Sequence, residues 1–290
     1  AHGTYPGGRV AVMGMGKLGS FELTAGSDVD LILLYDHDKD TDESDGDKPL
    51  APSQYYIRLT QRLIAALSAP TGEGVLYEVD MRLRPSGNKG PVATHIESFG
   101  KYQRTEAWTW EHMALTRARA IHGDAAFIDF IKGEIDEVLS TKRDTRKIAK
   151  DVREMRDLIY QEKPPRDDWD FKLKPGGIVD LEFIAQFAVL VGKVAKTPRP
   201  LATEEVLAGL DPSFADPATI DTRVEAHRFY TNLSQTIRLC LGSDATREEF
   251  IPGMIDILCR AAELPDIKRV EHHLTELAAN VRASFDRLIN

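Results

Sequence analysis

Cysteine is scarce in this chain, with only Cys240 and Cys259 among 290 residues. Two thiols in helical-looking apolar stretches argue against a disulfide framework or a Cys-ligated metal, and for a reducing, cytoplasmic setting. Long apolar runs are missing as well. None approaches the ~18 residues that a membrane span needs, and the first residues do not read as a charged-then-apolar leader. A basic surplus is also lacking: 37 Lys+Arg stand against 46 Asp+Glu, a net charge of -9. That balance disfavours a duplex nucleic-acid binder, which shows a basic face. Histidine brings no metal spacing, since no HxxxH pair or Cys/His cluster occurs, and nothing reads as an HD-type phosphohydrolase. What is present is ample core-forming material: 42% of the residues are hydrophobic. At about 150 residues per domain the length favours two domains. The chain opens on Ala1 rather than Met and reaches a strand within ten residues, so a piece of a longer protein is expected.

The first ~122 residues alternate strand and helix signals. Arg9–Met13 reads as a short buried strand ending at glycines, and Asp28–Tyr35 as a second, after a short segment over 21–25. Pro52 opens a helix with Tyr56, Leu59, Leu63 and Leu67 at helical spacing. Residues 75–84 alternate as a third strand, with Val75, Tyr77, Val79, Met81 and Leu83 on one face and Glu78, Asp80, Arg82 and Arg84 on the other. Helices are expected over 96–104 and 106–121. Beyond Gly123 the segments 124–140, 144–162, 178–192, 222–241, 250–263 and 269–289 all read as amphipathic helices. The last carries Val270, Leu274, Leu277, Val281, Phe285 and Leu288 on one face. Joints rich in Pro and Gly fall at 163–177 and 197–217. An α/β (α+β) domain with a mixed sheet over 1–122, followed by an all-α helical bundle over 123–290, is the expected organisation. Residues 36–47 hold seven acids and one Lys. A calcium loop starting at Asp36 or Asp38 would need Gly where Thr41 or Glu43 stands, so the run reads as a solvated connection.

Gly14, Gly16 and Gly19 fit GxGxxG, with Asp36 about twenty residues on, the spacing of a dinucleotide fingerprint. The short crossover, broken by Gly26, and two carboxylates opening the next strand count against it. Asp28 and Asp30, two apart on a strand, face the same side. If the strand carrying Asp80 is a neighbour, three carboxylates converge, and such a group repels itself unless cations sit between. That is the pattern of two-metal phosphoryl chemistry. Gly19-Ser20 offers backbone N–H groups to phosphate oxygens, and Lys17, Arg82 and Arg84 offer balancing charge. Taken singly, Asp28 reads equally well as a cap and Asp80 as a partner of Arg82 or Arg84.

The strings GMGKLGSFELTAGSDVDLILLYD, GVLYEVDMRLRPSG, EAWTWEHMALTRARAIHGD and FKLKPGGIVDLEFIAQ, spread over about residues 9–190, resemble the bacterial bifunctional glutamine synthetase adenylyltransferase/adenylyl-removing enzymes. The resemblance implies a nucleotidyltransferase-fold catalytic domain over 1–122. Residues 106–119 are similar to the C-terminal, adenylylating unit of that family. Carried over, the metal-binding acids fall on Asp28 and Asp30, with Asp80 as the third carboxylate. The nucleotide loop falls on Gly16, Lys17, Gly19, Ser20 and Ser27. The gap between Gly19-Ser20 and Asp28 is shorter than in general nucleotidyltransferases. The implied cofactors are two Mg²⁺ ions, or Mn²⁺, with ATP as substrate. The implied partners are glutamine synthetase, a PII-type signalling protein and glutamine as effector.

The expected reaction is attack of a glutamine synthetase tyrosine on the α-phosphorus of ATP, with pyrophosphate leaving. Asp80 is a candidate for taking the tyrosine proton, and Arg82, Arg84 and Lys17 for steadying the pyrophosphate. Lys172 and Lys174, ahead of Gly176-Gly177, form a weaker anion site at a helix start, next to Asp180 and Glu182. Glu111 and Arg117 are placed to reach the site, whereas Trp108 and Trp110 are expected to pack. Three alternatives stay open: the phosphorolytic adenylyl-removing unit, an RNA-directed nucleotidyltransferase, and a non-catalytic module that binds a PII-type protein.

Overall fold

The computed structural model describes every residue except Leu76, 195–198 and Pro200. Two compact units emerge, one of residues 1–23 and 27–141 and one of residues 24–26 and 142–290.

The first unit is built on a mixed sheet. Strand β1 (Arg9–Gly14) pairs antiparallel with β2 (Val29–Asp36), Arg9 opposite Asp36 and Gly14 opposite Leu31. The other edge of β2 is shared end to end by two short parallel strands. β3 (Val79–Asp80) sets Asp80 opposite Asp30, and β4 (Ala93–His95) pairs further along. β5 (Arg119–Gly123) runs antiparallel to β1, with a bulge at Val12/Met13. The run Leu31–Tyr35 is buried throughout because β2 is central and covered on both faces. Helix α2 (Pro52–Leu67) covers part of it, with Tyr35 stacked on Tyr56 at 4.0 Å between ring centroids.

Three expectations change here. The strand over 75–84 shortens to Val79–Asp80, because the chain turns directly after it. The Asp80 carboxylate takes the Arg82 backbone N–H at 2.7 Å, and Met81 O accepts from Arg84 Nη1 at 2.6 Å, so those groups cannot serve a ladder. Part of that expected strand, Leu76, lies outside the described residues. The helix over 106–121 ends early: α4 (Thr109–Leu115) stops where Thr116 hydrogen-bonds back to Met113 O, and the following residues become β5. On α2, Tyr56 and Thr60 are buried, whereas Leu59 and Leu67 are exposed. The contact face is rotated from the one that the leucines mark.

Helices α1 (Gly16–Gly19, one turn), α3 (Ile96–Thr105) and α5 (Ala125–Ser140) complete this unit. α5 packs on β1, β5 and α3, so the helix following residue 122 goes with the sheet rather than with the helices after it. The acidic run 36–47 connects β2 to α2. Within it Asp45 accepts from the Thr4 N–H at 2.6 Å and from the Thr4 hydroxyl at 2.9 Å.

In the second unit the long elements are α6 (Thr145–Glu162), α7 (Ile178–Leu190), α9 (Pro217–Leu241), α10 (Pro252–Ala261) and α11 (Ile267–Leu288). They start and stop within a few residues of the expected bounds, except that Asp216 caps α9 and Pro217 opens it five residues early. A short helix, α8 (Thr203–Ala208), falls inside the joint expected over 197–217, of which residues 197, 198 and 200 lie outside the described residues. Val270, Leu274, Leu277, Val281 and Phe285 are buried as the α11 stripe predicts. No described helix is long and apolar enough to cross a membrane.

Candidate active site

The register of β2 and β3 is what gathers the acids. Asp30 and Asp80 are direct cross-strand partners in a parallel pair, and Asp28 lies one step ahead of β2. Burial comes first in raising the Asp30 carboxyl, and repulsion by Asp80 and Asp28 adds to it, bringing it to about 6. Arg117 and Arg82 pull the other way. Asp28 is exposed and Asp30 half-buried. Asp80 differs because its oxygens face Arg82, which donates from Nε at 2.7 Å and from its backbone N–H at 2.7 Å. This pairing holds Asp80 below the usual carboxylate range. Among the described residues no three His, Cys, Asp or Glu side chains stand as a ready metal cage. The donor chemistry suits a hard divalent cation, because Asp30 and Asp80 are carboxylates on adjacent strands and both Asp80 and Asp28, just ahead of β2, lie near enough to repel the Asp30 carboxylate.

The glycine turn lies against this group. Gly16 has φ +49°, and a Cβ there would collide with the Asp30 carboxylate. At Gly19 a Cβ would strike the carbonyls of Arg117 and Gly14. Both positions therefore need glycine, one for conformation and space, the other for space alone. The N–H groups of Gly19 and Ser20 are already used by Met15 O at 3.0 Å and Gly16 O at 3.2 Å. The Ser20 hydroxyl, fully buried, donates to Gly16 O and accepts from Arg117 Nε at 3.1 Å and Nη2 at 3.0 Å. Arg117 also pairs with Glu22 at 2.9 Å. Lys17 is half-buried on α1, and Ser27 is buried just ahead of Asp28.

Arg117 comes to the turn not from a helix but from the connection between α4 and β5. Two further residues went unread in the sequence. Arg119, opening β5, donates to Gly19 O at 3.1 Å and Leu18 O at 3.3 Å. Its guanidinium lies 3.8 Å from the centroid of Phe21, which has φ +63° and is 71% exposed. The alternating Arg117-Ala118-Arg119 was the available signal, since an x-R-x-R run leading into a strand puts both guanidiniums on one side.

Other candidates are engaged elsewhere. Arg84 is buried and ties the turn after β3 through Met81 O and Gly90 O. Glu111 caps α4, accepting from the Trp108 N–H at 2.9 Å and the Tyr102 hydroxyl at 2.7 Å. Trp108 is 71% exposed and Trp110 41% exposed, so neither is the packed residue expected. Lys172 and Lys174 belong to the second unit, where Lys172 is exposed. Lys174 is buried, donates to Asp168 O at 2.9 Å, and has its ammonium pushed down by burial. Asp180 is not a free acid at a helix start. It is fully buried, paired with Arg156 and with Arg282 at 3.5 Å, and accepts from the Gly176 N–H at 2.7 Å.

Residues 2–130 match the family model of glutamate-ammonia ligase adenylyltransferase. The matched segment spans the acids, the glycine turn and both arginines. The curated relatives extend the likeness along nearly the whole chain. A "Bifunctional glutamine synthetase adenylyltransferase/adenylyl-removing enzyme" from Brucella suis is 75% identical over 288 residues, 99% of this chain and 29% of that protein. Relatives of the same description from Mesorhizobium japonicum and Xanthobacter autotrophicus are 57% and 46% identical, covering 99% and 100% of this chain and 29% and 30% of theirs. The chain is similar to this adenylyltransferase family along nearly its whole length. It spans about three-tenths of the length of the curated relatives it matches. The Asp30–Asp80 register and the arginine-held glycine turn both lie within the segment that the family model matches.

Proposed function

We propose that this chain is an adenylyl-transferring unit that moves AMP from ATP to a tyrosine hydroxyl of glutamine synthetase. The observation that supports it most is the cross-strand pairing of Asp30 with Asp80, with Asp28 just ahead of β2 and both acids repelling Asp30, beside a glycine turn. Three carboxylates held this close suit a cation that carries a nucleotide triphosphate. The likeness of the matched relatives, whose names give both adenylylating and adenylyl-removing activities, supports the reaction class. The TWEH run of α4 favours the adenylylating direction. In this reading residues 1–122, together with α5, hold the nucleotidyltransferase-fold domain, and the helices after α5 form a helical-bundle domain.

Asp28 and Asp30 would hold one Mg²⁺, and Asp30 with Asp80 a second. Bound there, divalent ions polarise phosphate oxygens and lower the pKa of the attacking hydroxyl. The chain's own residues position the rest. Arg117 and Arg119 fix the carbonyls and the hydroxyl of the Gly16–Ser20 turn, so the turn presents one shape to the triphosphate. Arg82, exposed and hinged at the turn after β3, leaves Asp80 and turns to the leaving pyrophosphate. Asp80, held ionised by Arg82, is the carboxylate that would accept the tyrosine proton. Lys17 stands at the same turn as a further phosphate partner. A PII-type protein and glutamine are the proposed regulators, with the cytoplasm as the setting.

The test is bidirectional. Glutamine synthetase incubated with this chain, Mg²⁺ and ATP should gain one AMP mass per modified subunit, with pyrophosphate released. Adenylylated glutamine synthetase incubated with phosphate should release little ADP. Fast ADP release with no AMP gain would instead assign the adenylyl-removing reaction to the same site.

A further inference from the structure

The residue that follows the glycine turn is an aromatic in a place where glycine is the rule. Helix α1 closes with two backbone bonds: the Glu22 N–H reaches Lys17 O at 2.8 Å, and the Phe21 N–H reaches Leu18 O at 3.5 Å. That pair of bonds is the Schellman ending of a helix, and it puts Phe21 in the left-handed region. Glycine normally fills this position, because a side chain is strained there. Phe21 has φ +63°. For a bulky residue such a value is an outlier, and backbone strain of this kind gathers at functional sites.

Burial does not explain Phe21, since the residue is 71% exposed. One face of its ring is covered by the Arg119 guanidinium, 3.8 Å from the centroid. Arg119 is itself tied down, donating to Gly19 O at 3.1 Å and Leu18 O at 3.3 Å. Next along the chain, Glu22 pairs with Arg117 at 2.9 Å, and Arg117 holds the Ser20 hydroxyl. Backbone and ring are therefore fixed, while the second ring face lies open to solvent. A preset aromatic shelf loses little freedom when a flat ligand lands on it.

We infer that Phe21 is the stacking platform for the base of the nucleotide whose phosphates the Gly16–Ser20 turn receives. This rests on the AMP-transfer reading and adds the base contact to it. The spacing suits the role. Gly16, at one end of the turn, abuts Asp30, since a Cβ there would meet the Asp30 carboxylate. Phe21 stands five residues on, roughly 8 Å along a helical turn. The ribose between an α-phosphate at the acids and a base on the ring bridges such a gap. A base is favoured over an aromatic side chain of a protein partner, because the ring is anchored to the same turn and arginines that shape the phosphate site.

Isothermal titration of the 290-residue chain with Mg-ATP and with Mg-tripolyphosphate tests this, because tripolyphosphate keeps the phosphates and lacks the base. The unaltered chain should bind ATP more tightly than tripolyphosphate. Phe21→Gly should weaken ATP binding about tenfold and leave tripolyphosphate binding unchanged. It should also keep the Tm, because glycine is the residue that the left-handed position favours. Phe21→Leu, with bulk but no π-face, should lose ATP affinity to a similar degree, and Phe21→Trp should retain it. Unchanged ATP affinity in Phe21→Gly and Phe21→Leu, or an equal loss of both ligands, would overturn the inference and leave the AMP-transfer reading standing. Failure of the unaltered chain to bind either ligand would overturn that reading, and the inference with it.

Discussion

A carboxylate that burial and two neighbouring acids hold up at about 6 weakens the empty protein at neutral pH. In the unfolded chain Asp30 ionises near its ordinary value of 3.8. Between those values the folded state binds the extra proton, so the favourable contribution of neutral Asp30 is complete below 3.8 and is lost as pH rises through about 6. Asp30→Asn, neutral at every pH, should therefore raise stability at pH 8 without metal or nucleotide. A gain of about 1–2 kcal/mol is expected, after discounting for partial exposure. Denaturant melts at pH 8 and pH 4 check this: the gain should shrink towards zero at pH 4, and a pH-independent gain would contradict it. The glycine turn gives a second expectation. Gly19→Ala forces a methyl against backbone carbonyls that cannot swing away. It should cost more than about 2 kcal/mol and also weaken nucleotide binding. Gly26→Ala, with open space around it but φ +68°, should cost about 1 kcal/mol and read as backbone strain alone.

At the scale of elements, the parallel pairing of β2 with β3 sets Asp30 opposite Asp80, a cap supports the first unit, and a buried ion pair supports the second. Glu111 joins the start of α4 to Tyr102 of α3, so Glu111→Ala should cost roughly 1–2 kcal/mol, measured by thermal melt, with Tyr102→Phe costing less. Asp180→Asn leaves Arg156 buried without its counter-charge and should destabilise the second unit by about 3–5 kcal/mol, read as loss of helical signal at lower denaturant. Helical periodicity made α5, α6 and α11 legible in the sequence, because each has one buried face, and short apolar runs marked β1 and β2. β4 and β5 were not legible. They are short, and their pairing with β2 and β1 depends on partners distant in sequence. The β3 strand was overread because alternation continues past Asp80, while side-chain-to-backbone bonds bend the chain there. Of the site, Asp28, Asp30, Asp80 and the glycines could be read from residue type and spacing. The Arg117 and Arg119 contacts could not, since they join residues about a hundred positions apart.

Across the whole molecule, the net charge of -9 sets what it meets in solution. Seven of its acids lie in the run 36–47, so a chain with acidic totals still presents arginines beside its carboxylate group. No retention on duplex DNA or RNA is expected at about 50 mM salt, because a net charge of -9 opposes the phosphate contacts that drive such binding. In the proposed function the Asp28–Asp30–Asp80 group carries AMP transfer. The most direct measurement is the rate at which label from α-³²P-ATP enters purified glutamine synthetase, for the unaltered chain and for Asp30→Asn. The account predicts label incorporation by the unaltered chain and a loss of at least about a hundredfold in Asp30→Asn, with the variant still folded. Transfer by Asp30→Asn at the unaltered rate would contradict it.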